Sequence, residues 1–216
     1  MKPGDRYDTS NLVEGQFEPG SRRRVLRNLL GIRRKRVIDA AEATALSAAL
    51  ERCVDTFDRR HRFTAKDIRE IHRFWLGTIY AWAGRYRQVV ISKGDFTFAM
   101  PAHIDTLMTG FETGSLHRFT PCTSDNQEEV ARALAEVHVE LMLIHPFREG
   151  NGRTGRLLAT LMALQAGLPI LDFSGVHGKT RDQYFAAVRV GLNRDYGPME
   201  KIFSDVIGRT LRTRPS

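Results

Sequence analysis

His145-Pro146-Phe147-Arg148-Glu149-Gly150-Asn151-Gly152-Arg153-Thr154-Gly155-Arg156 puts a histidine, an acid, three glycines, an asparagine and three arginines into twelve consecutive residues. Packing alone does not call for these side chains at such density. The flanks are apolar at a 3.6-residue period: Val130, Leu134, Val137, Leu141, Met142 and Ile144 come before, and Leu157, Leu158, Leu161 and Met162 after. The stretch therefore reads as a loop between two helices, the first stopped by Pro146 and the second starting near Gly152. Its glycines formally match G-x-G-x-x-G, and Asp172 follows at the distance a dinucleotide-binding unit wants. That unit needs a strand ahead of the glycines and alternating strands and helices around them, whereas a periodic helix stands here. No Gly-Lys-Ser/Thr closes the run, which excludes a Walker A loop. The reading of this stretch sets the fold class as all-α.

Working outward, Val37, Ile38, Ala41, Ala45, Leu46, Ala49, Leu50 and Val54 predict a helix across 36–56. Thr64 with Asp67 has the spacing of a capping box, and Ile68, Ile71, His72, Trp75, Leu76 and Ile79 follow at helical spacing toward Gly84. The period then changes to two. Gln88–Ser92 and Asp95–Met100 around Lys93-Gly94 predict one β-hairpin, the single convincing sheet of the chain. A helix over 103–113 comes next, and Ser124 with Gln127 is expected to cap the long helix that ends at Pro146. Two further helices are expected, one opened by Thr180 with Gln183 and one from Pro198 carrying Met199, Ile202, Phe203, Val206 and Ile207. Trp75, Trp82, His72 and His138 read as core or boundary residues, and Tyr184 and Phe185 as helix packing rather than a stacking platform.

The chemistry written in 145–156 is that of an anion site. Glycines let backbone N–H groups approach a ligand, and a helix beginning near Gly152 offers unpaired N–H groups and a positive dipole end to phosphate. Arg153 and Arg156, three apart on one helix face, are expected to grip a polyphosphate in forks. Glu149 offers a hard oxygen to Mg²⁺, which at a polyphosphate takes one or two carboxylates and completes its shell with phosphate and water. His145, just ahead of the cradle, is the candidate base toward an attacking hydroxyl.

Composition bounds the rest. The chain has 216 residues, 42% apolar and 27% charged, with a formal net charge of +8. That is a globular composition, not a disordered or fibrous one. Residues 1–36 hold ten Lys or Arg against four Asp or Glu, so the basicity is local. Val25, Leu26, Leu29 and Leu30 interrupt Arg22–Arg24 and Arg33–Arg36, and the stretch reads as a surface helix with a solvated basic face rather than a nucleic-acid arm. Cys53 and Cys122 have no partners at metal-ligand spacing. No run of 18 apolar residues and no apolar segment behind the charged start is present, so the expectation is a cytoplasmic protein without a membrane span. Oligomeric state stays open.

Residues 145–156 resemble, without departure, the signature of Fic-domain proteins, H-x-F-x-[DE]-G-N-G-R-x-x-R. Further resemblance lies in Ile79-Tyr80-Ala81-Trp82-Ala83-Gly84, in Val90-Ile91-Ser92-Lys93-Gly94 leading into Phe98-Ala99, and more loosely in Asp195-Tyr196-Gly197-Pro198. The resemblance implies a Fic-type helical bundle with a single β-hairpin flap, divided into a basic N-terminal helical extension over 1–58 and a Fic core with C-terminal helices over 59–216. It implies an ATP- and Mg²⁺-dependent protein adenylyltransferase that moves AMP onto a Ser, Thr or Tyr hydroxyl of a target protein. His145 would be the base and Glu149 the Mg²⁺ ligand. Gly150, Asn151 and Gly152 would cradle the α- and β-phosphates, Arg153 and Arg156 would take the β- and γ-phosphates, and Phe147 would anchor the loop. Ile91, Ser92, Lys93 and Gly94 would belong to a flap that holds the target by strand addition.

Many Fic proteins also carry an inhibitory [ST]-x-x-x-E-[GN] helix, and Ser10-Asn-Leu-Val-Glu14-Gly15 matches it. The resemblance implies that Glu14 pairs with Arg156 and blocks the γ-phosphate site. The alternative is control by a separate small antitoxin protein. A different class of function also remains: a nucleotide-responsive regulatory module that binds nucleic acid through its basic N-terminus.

Overall fold

Thr64 accepts the Asp67 N–H at 3.2 Å, and Asp67 Oδ2 accepts the Thr64 N–H at 2.8 Å, so the expected capping box starts its helix. The computed structural model describes residues 12–212. Their helices are α1 (Lys35–Thr56), α2 (Ala65–Leu76), α3 (Ile104–Phe111), α4 (His117–Phe119), α5 (Gln127–Ile144), α6 (Asn151–Gln165), α7 (Gly178–Val190) and α8 (Gly197–Arg212). A π-turn, Glu112–Leu116, joins α3 to α4. The sheet among the described residues is one antiparallel hairpin, β1 (Ser92–Lys93) with β2 (Phe96–Thr97), in the register Ser92 to Thr97 and Lys93 to Phe96. The all-α class with a single hairpin holds.

Helix α5 is the axis of the bundle. Val130, Leu134, Val137, Val139, Leu141 and Met142 lie on several of its sides and are all buried, as a helix enclosed by neighbours requires. It packs against α6, α7 and α8, while α1 lies on α2. A second apolar cluster joins Val25, Ile38 and Ala49 to Trp75, Leu76, Ile79, Tyr80 and Trp82. The α5–α6 approach is close: a Cβ on Gly155 would lie 2.8 Å from Met142 Cε and 2.9 Å from His138 Cε1. Both cysteines are buried thiols.

Several expected boundaries move. The segment 22–34 is not a helix. Asn28 is the reason, because its side chain bonds the Leu26 and Ile32 carbonyls and the Leu30 and Ile32 N–H groups, competing with helical bonding. Arg22, Arg23 and Gly31 have positive φ, Phe17 bridges Leu26, and Leu29 and Leu30 are exposed. The helix after Thr64 ends at Leu76, and turns carry the chain to Gly84. Asn126, not Ser124, caps α5 by accepting from Glu128 N–H at 2.8 Å. Helix α7 begins at Gly178, ahead of Thr180, and the hairpin strands are two residues each.

Candidate active site

The signature forms the loop between α5 and the start of α6. His145 closes α5 in the left-handed region, φ 52° and ψ 58°, a conformation a non-glycine residue holds only when its surroundings fix it. Pro146 then turns the chain. Phe147 is fully buried and stacks on the His72 ring, with centroids 3.9 Å apart, so it anchors the loop as expected. Asn151 Oδ1 accepts the Phe147 N–H and its Nδ2 donates to the Phe147 carbonyl, both at 2.8 Å. The Asn151 side chain therefore ties the loop to itself beside the expected cradle. Gly150, at φ 85°, precedes α6, and a Cβ there would sit 2.5 Å from the Trp75 ring. His72 Nδ1 accepts the Gly84 N–H at 2.8 Å, so its Nε2 carries the proton donated to the Glu149 carbonyl at 3.1 Å. Burial pushes the His72 pKa down to about 4 and keeps the ring neutral.

A cavity of about 880 Å³ opens beside the loop, and His145, Glu149, Gly150, Asn151, Gly152, Arg153 and Arg156 all line it. Across the opening stand Ile91, Ser92, Lys93 and Gly94 of the hairpin, with Tyr184 and Phe185 of α7. Lys93 Nζ lies 2.9 Å from the Phe185 ring centre, and Arg189 pairs with Asp95 at the hairpin tip. The predicted hairpin residues 91–94 and, of the signature, His145, Glu149, Gly150, Asn151, Gly152, Arg153 and Arg156 thus face one space.

The proton on His145 is placed by geometry. Its Nδ1 lies 3.2 Å from the Met142 carbonyl, which can only accept, so Nδ1–H donates and Nε2 keeps its lone pair. The ring stacks on Phe98 at 3.8 Å. Burial lowers its pKa to about 4, and the nearby charges of Arg87 and Lys93 push the same way. At neutral pH His145 is an uncharged imidazole with a basic Nε2 in the cavity wall. Glu149 is half-exposed at its side chain, and its Oε1 accepts the Gly150 N–H at 3.0 Å. Among the described residues no group of three or more His, Cys, Asp or Glu stands together as a metal site. A single half-exposed carboxylate suits a magnesium ion that arrives with a polyphosphate.

The paired arginines have different surroundings. Arg153 Nη1 donates to Glu42 Oε2 at 2.8 Å, its Nη2 lies 3.6 Å from Glu149 Oε1, and the guanidinium rests over the Trp75 ring. Glu42, from α1, is buried and also accepts the Tyr80 hydroxyl at 2.7 Å. Arg156 has no ion pair among the described residues and sits between the rings of Phe173 and Tyr184. Tyr184 is held in turn by His138 Nε2, 2.6 Å from its hydroxyl.

Glu14 is corrected. Ser10 lies outside the described residues, and Glu14 sits in a short turn, Val13–Gly15, with its Oε1 accepting the Gln88 N–H at 2.6 Å. It forms no ion pair with Arg156 and does not line the cavity. Sequence reasoning also missed Glu42 and Arg87. Their one signal was local: an acid among alanines in 40–43, and an arginine placed just before a β-prone run.

The Fic/DOC family model matches residues 62–163, which hold the whole signature and the hairpin. The chain carries a Fic/DOC family domain. The protein adenylyltransferase Fic of Culex quinquefasciatus is 30% identical over 191 residues, covering 88% of this chain and 37% of that protein. The chain thus spans 37% of the length of that relative. The N-terminal Fic domain of a Bartonella effector protein from Bartonella sp. AR 15-3 superposes with a TM-score of 0.73 at 20% identity, covering 94% of this chain and 95% of that one. BepC of Bartonella tribocorum, solved with bound AMPPNP, gives 0.68 at 21% identity, covering 89% and 96%. These likenesses in structure carry the Fic fold, helical with one hairpin. No helix among the described residues is long and apolar enough to cross a membrane.

Proposed function

We propose that this Fic domain transfers AMP from ATP to a hydroxyl side chain of a target protein. One observation carries the reading: a neutral histidine with a free Nε2, and an arginine with no ion pair among the described residues, line the same cavity on either side of the glycine loop. The names of the curated relatives, and AMPPNP bound in a similar fold, support nucleotide chemistry at this loop.

In the proposed reaction the target hydroxyl gives its proton to His145 Nε2 as its oxygen forms a bond to the α-phosphorus. The bond from that phosphorus to the bridging oxygen breaks, and pyrophosphate leaves. Glycine backbone N–H groups and the positive end of α6 offset charge on the phosphates, and Arg156 supplies a cation unshared with any carboxylate. Glu149 would hold magnesium, which neutralises polyphosphate charge when bound. The hairpin residues Ile91 to Gly94 would present their exposed strand edge to the target segment. A location in the cytoplasm belongs to the same proposal.

The test is transfer of label from α-phosphate-labelled ATP with magnesium, to the chain itself and to lysate proteins. Wild type should label a protein. His145→Ala should lose at least about a thousandfold in transfer while binding AMPPNP with unchanged affinity. Label that persists in His145→Ala, or label from the γ-phosphate instead, would overturn the proposal.

A further inference from the structure

Arg87 is 1% exposed, yet no carboxylate bonds to it. Its guanidinium donates instead to four carbonyls: His145 at 2.7 Å, Ile144 at 3.4 Å, Val89 at 2.7 Å and Ala99 at 2.5 Å. Its backbone N–H donates to the Pro146 carbonyl at 2.8 Å. One side chain thus joins the C-terminal end of α5, the residue that bears the candidate base, and both arms of the hairpin. The last carbonyls of a helix have no intrahelical partner and carry the negative end of its dipole, so a cation suits the Ile144 and His145 carbonyls. Dipoles alone leave a buried charge incompletely answered.

Glu14 supplies the missing charge. Its carboxylate takes the N–H of Gln88, the next residue in the chain, at 2.6 Å, and its own carbonyl accepts Arg148 Nε of the signature loop at 2.9 Å. Burial lowers the Arg87 pKa, and the Glu14 charge is the one nearby group that raises it again. Glu14 is itself 7% exposed, so this acid is built into the hub and does not dangle from it.

We infer that Glu14 is a positioning residue for the proposed transfer: together with Arg87 it clamps the His145 backbone and the base of the hairpin, so this acid supports turnover. The inference rests on the adenylyl-transfer reading. It reverses the sign implied by the inhibitory pattern, in which removing Glu14 would speed the reaction.

The experiment compares the full chain as wild type, Glu14→Ala, Glu14→Gln and Arg87→Lys, with three readouts: AMPPNP affinity by calorimetry, the transfer rate at saturating ATP, and amide hydrogen exchange. Glu14→Ala should slow transfer about 5–30-fold and leave AMPPNP affinity within about twofold, because the clamp touches the base and the hairpin and not the phosphate cradle. Glu14→Gln keeps an acceptor oxygen for Gln88 and should recover part of the rate. Exchange in Glu14→Ala should quicken at the amides of Arg87, Gln88 and Phe98 and stay unchanged in the α5 interior. Faster transfer in Glu14→Ala, an unchanged rate, or exchange that quickens alike in α5 and α8 would each overturn the inference. If wild type transfers no AMP, the adenylyl-transfer reading fails, and the exchange pattern alone then decides the clamp, unchanged exchange at 87–98 overturning it.

Discussion

Arg153 and Arg156 stand three residues apart on α6, and the two sides of the cavity mouth they occupy are built on opposite principles. On the Arg153 side the charge is answered within the protein by Glu42 at 2.8 Å and, more distantly, by Glu149, with Trp75 beneath. On the Arg156 side Phe173 and Tyr184 flank the cation, and no acid among the described residues pairs with it. Each side is backed by a buried neutral histidine, His72 behind the first and His138 behind the second. The difference teaches that two identical side chains in one motif need not do the same work. A saturated arginine orders the loop and the Glu149 carboxylate. An arginine held by aromatic faces keeps its hydrogen-bonding capacity for a ligand.

The largest effect that could break this contrast is on stability. Arg153→Ala leaves Glu42, whose side chain is 4% exposed, as a buried acid without its cation. A loss of about 3 kcal/mol is expected, at the lower end for a broken buried pair because the Arg153 side chain is 35% exposed. Arg156→Ala removes only contacts to two rings and should cost about 1 kcal/mol or less. Denaturant midpoints of the two variants measure both, and equal losses would show that the two sides are not built differently.

Nucleotide affinity should reverse the order. Arg156→Ala is expected to weaken AMPPNP binding about 10–100-fold, the range for losing a charge-assisted fork to phosphate, with Arg156→Lys recovering only part. Calorimetry checks it. A smaller loss in Arg156→Ala than in Glu42→Gln, which frees Arg153 from its partner, would assign the phosphate to the wrong arginine.

How much of this was legible in the sequence follows from how local each feature is. The signature loop, the Thr64 capping box and the hairpin around Lys93-Gly94 are encoded within a few residues, and all three form where the spacing places them. The Glu42–Arg153 pair joins residues 111 apart, and the Arg87 hub reaches 58 residues along the chain. Nothing at either end of such a pair names its partner. Glu42 sits among alanines on a helix with little amphipathic contrast, where an acid reads as solvated. The segment 22–34 failed for a local reason: its apolar spacing suits a helix, while Asn28 and Gly31 supply the competing turn bonds and a positive φ. The Glu14 pattern names no partner for its carboxylate, because a six-residue match says nothing of which way the side chain faces.

The sharpest discriminator is a small titration shift, and it concerns the two histidines. Burial lowers both His72 and His138 to about 4, against about 6.5 for a histidine in an unfolded chain. Between those values the unfolded chain binds more protons than the native one, so stability rises with pH. The contribution is complete above about pH 6.5 and is lost as pH falls toward 4, at about 1.4 kcal/mol per pH unit for each ring. Denaturant titrations at stepped pH test the sign. The two rings should then part company when a nucleotide binds. Burial holds His138 neutral and the Arg156 charge adds to that, so a phosphate answering Arg156 should move the His138 titration upward by a fraction of a unit. His72 faces an arginine already answered by Glu42 and should stay where it is. Ring-proton NMR resolves the two, and an equal shift in both, or none at His138, would mean that the nucleotide phosphate does not rest on the Arg156 side of the cavity.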